Sequence, residues 1–111
     1  MEITTKELKR VILVAPTGRI DHQSAPELQK TLESLIDQGQ FKLVLDMSGV
    51  NYISSAGLRV LLATRKIVKR WNRGDIRLAH LQPYVRDTLE LVGFTRIFQL
   101  YDDVVEAVGS F

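Results

Sequence analysis

A chain of 111 residues, 45% hydrophobic and 25% charged, suits one domain with one modest core; at this size about two-thirds of the unfolded surface is buried. That composition excludes disordered and collagen-like chains, and zero cysteines exclude disulfides, thiolate zinc sites and cysteine nucleophiles. The net charge of +2 is too small by itself to argue for nucleic acid.

Two apolar runs open the chain, Glu2–Leu8 and Val11–Ala15, separated by Lys9-Arg10. They predict a β-hairpin, ended by Pro16-Thr17-Gly18. Ser24-Ala25-Pro26-Glu27 has the pattern of a capping box. After it Ala25, Leu28, Leu32, Leu35 and Ile36 recur at helical spacing until Gly39. Phe41–Met47 holds Leu43-Val44-Leu45 and suits a central strand covered on both faces. A polar connection, Ser48-Gly49-Val50-Asn51, leads to a second helix from about Ala56 to Trp71, stopped by Asn72-Arg73-Gly74. Ile76–His80 is expected to be a fourth strand, Pro83–Val92 a third helix stopped by Gly93, and Ile97–Leu100 a fifth strand. Asp102 is the expected cap of a last short helix carrying Val104, Val105 and Val108. The order ββαβαβαβα predicts a single α/β domain over residues 1–111, a mixed five-stranded sheet with about four helices. No apolar run approaches the roughly 20 residues of a membrane span. The N-terminal Met1-Glu2-Ile3-Thr4-Thr5-Lys6 lacks the pattern of a signal peptide. A cytoplasmic protein is expected.

The usual catalytic constellations are thin. His22 and His80 are too far apart in sequence to be a helical ligand pair, and no phosphate-binding glycine loop is present. Ser55 stands in a strand-to-helix region, but Ile53 occupies the first glycine position of Gly-x-Ser-x-Gly, so the hydrolase pattern fails. The informative stretch is Tyr52-Ile53-Ser54-Ser55-Ala56-Gly57-Leu58. One serine before a helix is explained as a cap. A second serine and the small Ala56-Gly57 pair admit another reading, a modification site that a second protein approaches closely. A phosphate there would meet free helix amides and the positive end of the dipole. These residues alone leave both readings open.

The same stretch resembles the signature of the STAS family, the bacterial anti-sigma factor antagonists, commonly aromatic, apolar, Asp, Ser, small, Gly, Leu. Gly18-Arg19-Ile20-Asp21, Val44-Leu45-Asp46-Met47-Ser48, and Leu89-Glu90-Leu91-Val92-Gly93-Phe94 with Ile97-Phe98 are similar to three further family segments, in order and with its spacing. The resemblance implies a serine phosphorylated by a partner that is both anti-sigma factor and serine protein kinase. It also implies release of the sigma factor by the unphosphorylated protein, and reversal by a metal-dependent serine phosphatase. Ser55 matches the acceptor. Ser54 stands where the family has Asp, which removes a charge and offers an alternative acceptor. Asp21 matches an acidic residue near the phosphorylation site, beside Ala56 and Gly57, and Arg59 replaces a frequent second glycine.

Helical geometry adds a partner surface. At about 100° per residue, Val60, Leu61, Thr64, Ile67, Val68 and Trp71 share one side of the second helix. Arg59, Lys66, Arg70 and Arg73 form a stripe opposite, with Leu58 and Leu62 beside it. Basic groups around two leucines suit an acidic partner, although a solvated face and a wide core face explain the same pattern. The expected function is therefore a phosphorylation-controlled anti-anti-sigma factor, not an enzyme, without cofactor or metal, nucleic acid or membrane insertion. Its expected partner-binding residues are Leu58, Arg59, Leu62, Lys66 and Arg70. The alternatives are a STAS subunit of a membrane transport assembly that binds its ATPase and a nucleic-acid binder using the basic stripe.

Overall fold

The computed structural model describes residues 1–71 and 73–111, so the Asn72 part of the expected helix stop lies outside the described residues. The hairpin forms as strand β1 (Glu2–Leu8) against β2 (Val11–Ile20), antiparallel from Glu2↔Thr17 to Leu8↔Val11. Contrary to expectation, Pro16-Thr17-Gly18 does not end β2. The parallel ladder to β3 (Lys42–Asp46) stops at Val14↔Leu45, so Pro16, which lacks an N–H, lies past that ladder. At Gly18, whose φ is +100°, the strand bulges and turns to a new neighbour, β4 (Val50–Ile53).

That strand corrects the expected polar connection. Val50 and Ile53 are buried, and the Gly18 N–H donates to the Gly49 carbonyl at 2.8 Å. A Cβ on Gly49 would lie 2.8 Å from Thr17 Cγ2 and 3.3 Å from the Pro16 carbonyl oxygen, so a larger residue there would require Thr17 to shift. The sheet thus has six strands, ordered β1-β2-β3-β5-β6 with β4 on the far half of β2.

Helix α1 (Ala25–Asp37) buries Leu28 and Leu32, and α2 (Ser55–Val68) buries Leu61 and Val68. Strand β5 (Asp75–Ala79) and helix α3 (Pro83–Leu91) follow. The expected fifth strand at Ile97–Leu100 is instead a 3₁₀ turn over Phe94–Arg96 and then β6 (Leu100–Tyr101), paired to Leu78 and Ala79. Phe98, buried in the core, anchors the link between them. Helix α4 (Val104–Gly109) is capped by Asp103, not Asp102: the Glu106 N–H donates to Asp103 Oδ1 at 2.8 Å.

Strand alternation divides the core unequally. Ile12, Val14, Leu43, Leu45, Ile76 and Leu78 face α1, α2 and α3 in one large cluster. Val11, Val44 and Ala79 face the other way, onto Ala107 of α4. Each fully buried Leu or Ile contributes about 1.5–3 kcal/mol, so the three-helix face, which holds most of the buried apolar side chains, contributes more to stability than the α4 face. The helix ends at Val68, before the expected Trp71. Trp71 is half exposed and stacks on Phe41 with ring centroids 4.8 Å apart, instead of entering the core.

Candidate functional site

The start of α2 is built by the ends of two parallel strands. Ile20 and Ile53 are paired in register, and the Ile20 carbonyl accepts the Ser54 N–H at 2.8 Å. This holds Ser54 in extended backbone, φ −92° and ψ 174°, the conformation of a helix cap. Its Oγ accepts the Gly57 N–H at a long 3.4 Å. Ser54 is 9% exposed. Ser55, the first residue of the helix, is exposed. The chain enters the helix from β4 without a loop, so consecutive residues point to opposite sides, one serine inward and the next to solvent.

Gly57 makes this seat possible. A Cβ there would lie 2.6 Å from Ile20 Cγ2 and 2.8 Å from Ile53 Cγ1. Its smallness therefore serves the packing of α2 on its own strands, not the approach of another protein, which corrects the sequence expectation. Ala56, by contrast, is half-buried and reachable.

Asp21 follows Ile20 directly and turns the chain towards α1. Its Oδ1 accepts the backbone N–H groups of Gln23 and Ser24, each at 3.0 Å. The Ser24 amide is the main cause holding its pKa below the ordinary 3.8, with the Gln23 amide and the Arg19 charge assisting against some burial. Among the described residues its carboxylate bonds neither Ser54 nor Ser55. The capping box expected at α1 does not form. Ser24 Oγ accepts the Asp21 N–H at 2.9 Å and donates to the Arg19 carbonyl at 2.6 Å, so Glu27 is left with the backbone bond to Ser24.

The exposed ridge of α2 carries Ser55, Arg59, Ala63 and Lys66, with Arg70 in the turn that follows. The two leucines behave differently from expectation. Leu58 is 9% exposed and belongs to the main core; Leu62 is half-buried. Because α2 packs on α1, β4 and β5 together, its buried set from Val60 round to Leu58 spans roughly 160°, more than one stripe. Leu58 therefore offers no contact area.

Two features escaped the sequence reading. A shallow groove of about 340 Å³ lies between α1 and α2, lined by His22, Pro26, Gln29, Ala56, Arg59 and Ala63 among others. His80, the other histidine, is exposed elsewhere, with φ +58°. Beside the site, the Arg19 guanidinium lies 4.1 Å from the centroid of the Tyr52 ring, which stacks on Tyr84 at 6.2 Å. Arg19 and Tyr52 become neighbours only through the β2–β4 register, and an unrecognised β4 hid them. Among the described residues no His/Cys/Asp/Glu group could hold a metal ion, and no helix is long and apolar enough to cross a membrane.

The STAS domain model matches residues 2–107. BtrV of Bordetella bronchiseptica, named as an anti-sigma factor antagonist, is 32% identical over 111 residues, covering 100% of this chain and 95% of BtrV. The fold is similar to a crystal structure of a Thermotoga maritima protein described as an anti-sigma factor antagonist. Its TM-score is 0.91 at 24% identity, over 97% of this chain and 92% of that one. It is also similar to the Bacillus cell fate determinant SpoIIAA in its phosphorylated form, with TM-score 0.76 and 15% identity, over 98% of each chain.

Proposed function

This chain belongs to the STAS-domain family, and on that premise we propose that it is an anti-sigma factor antagonist controlled by phosphorylation of Ser55. Its partners are an anti-sigma factor with serine kinase activity and a metal-dependent serine phosphatase. The protein works by binding: it is not an enzyme, and the ATP belongs to the kinase. The observation that carries this reading is the division of labour between the serines. Ser54 is buried as the helix cap, and Ser55 presents its hydroxyl to solvent.

The physical account follows from position. A phosphate on Ser55 adds about −1.5 to −2 charges where the first helical amides lack intrahelical partners and the dipole favours an anion. The fold should therefore persist and the Tm change little. In the unmodified state Arg59, Lys66 and Arg70, with half-buried Leu62 at the margin, present a cationic ridge suited to acidic groups of the anti-sigma factor. A phosphate at the head of that ridge repels those groups and opposes desolvation, which for an unpaired charge costs several kcal/mol. Asp21 supports the site by fixing the loop behind Ile20.

The test begins with the cognate kinase and ATP, followed by mass-spectrometric mapping. One phosphate on Ser55 is expected, and phosphate on Ser54 alone would move the acceptor. No phosphate with a competent kinase would end the switch reading. In a binding titration Ser55→Asp should weaken the anti-sigma complex about tenfold or more, equivalent to about 1.4 kcal/mol, and Ser55→Ala should bind as wild type. Arg59→Glu should slow association most at low salt.

A further inference from the structure

Helix α2 contains three cations, Arg59, Arg65 and Lys66, and no acidic residue from Ser55 to Val68. Arg65 is drawn inward, its guanidinium 5.9 Å from the Phe98 ring centroid. Arg59 is exposed and, among the described residues, enters none of the ion pairs or side-chain hydrogen bonds. It stands four residues after Ser55, hence one turn below it on the same ridge, where side chains at i and i+4 meet with Cβ atoms about 5–6 Å apart. The Arg side chain spans that distance easily, and its planar fork matches a phosphate bidentately. The opposing wall of the groove at this point carries His22, Pro26 and Gln29 from the α1 side, with no carboxylate among its lining residues to compete for the guanidinium.

We infer that Arg59 is the intramolecular partner of a phosphate on Ser55. This rests on the phospho-acceptor reading above and deepens it. Modification then acts twice: it adds negative charge at the head of the ridge, and it removes from the ridge the cation nearest the contact. The phosphorylated protein presents a closed ion pair where the unmodified one presents a free arginine. A carboxylate at position 55 is shorter and carries less charge, so Ser55→Asp reproduces the repulsion but holds Arg59 poorly.

The test installs phosphoserine at position 55 during synthesis of the full chain, so that no kinase is needed, and follows the phosphate by phosphorus NMR across its second ionisation. Against Arg59→Gln, the wild-type phosphate should titrate about half a unit lower at low salt, because a nearby cation favours the dianion. Arg59→Lys should restore much of that difference, and about 1 M salt should shrink it. Arg10→Gln, in the β1–β2 turn at the other end of β2, should leave the titration unchanged. Equal titration of the phosphate in wild type and Arg59→Gln would overturn the pairing, as would an equal shift from Arg10→Gln. Failure of the acceptor reading would appear separately, in the kinase mapping, as phosphate on a residue other than Ser55.

Discussion

Two helices in this protein begin at a serine, and they begin in opposite ways. At α1 the chain leaves β2 through a loop that closes on itself. Asp21 takes the amides of Gln23 and Ser24, and the Ser24 hydroxyl is held between the Asp21 amide and the Arg19 carbonyl. Nothing there is left over to react. At α2 the chain passes from β4 into the helix with no loop, the Ile20 carbonyl fixes the cap, and the following serine is exposed. A helix start becomes a presentation device when a strand end rather than a loop stands behind it.

The largest effect is expected at Gly57, where α2 packs on the strand ends behind it. Gly57→Val places branched carbon where a Cβ alone would sit 2.6 Å from Ile20. Overpacking of this kind costs about 2–3 kcal/mol, and thermal or urea unfolding should show it. An unchanged stability would mean that α2 can lift from its strands and that the seat is not rigid.

Next in size is an alanine series over the three serines. Ser24→Ala leaves the Asp21 amide and the Arg19 carbonyl without their partner and should cost about 1–1.5 kcal/mol. Ser54→Ala removes a cap whose bond is long and should cost about 0.5–1 kcal/mol. Ser55→Ala should fall within about 0.5 kcal/mol of wild type. Denaturant titration orders the three; a costly Ser55→Ala would show that its hydroxyl is structural.

The smallest effect is a pH dependence confined to the α1 entry. The folded-state pKa of Asp21 is depressed, chiefly by the Ser24 amide. The carboxylate therefore stabilises the fold above its ordinary value of 3.8, and that contribution is lost as pH falls through the lower folded value. Tm measured from neutral to strongly acidic pH should fall further in wild type than in Asp21→Asn, the gap between them closing at the acid end. A constant gap would mean that the loop bonds do not distinguish the two protonation states.

How much of this was legible beforehand depends on the range of the forces involved. Helical periodicity marks α1 and α2, and a proline start with a glycine stop marks α3, because these signals are written within a few turns of chain. Strands β1, β3 and β5 were legible for the same local reason. Val50–Ile53 was not, since only two of its four residues are buried and its partner, the far half of β2, lies about thirty residues away. The same blindness displaced the fifth strand, where Phe98 turns into the core and the pairing begins only at Leu100.

At the site, the residue types and their order were determined by the sequence: two hydroxyls, a small pair and a cationic ridge at helical spacing, in an order similar to one family. Which serine faces solvent was decided by the tertiary structure, because the Ile20 carbonyl that orients Ser54 comes from a distant strand. Which leucine belongs to the ridge was decided there too, since the width of the buried arc depends on how many neighbours α2 touches. Local chemistry sets what a residue can do, and long-range packing sets which residues are left free to do it.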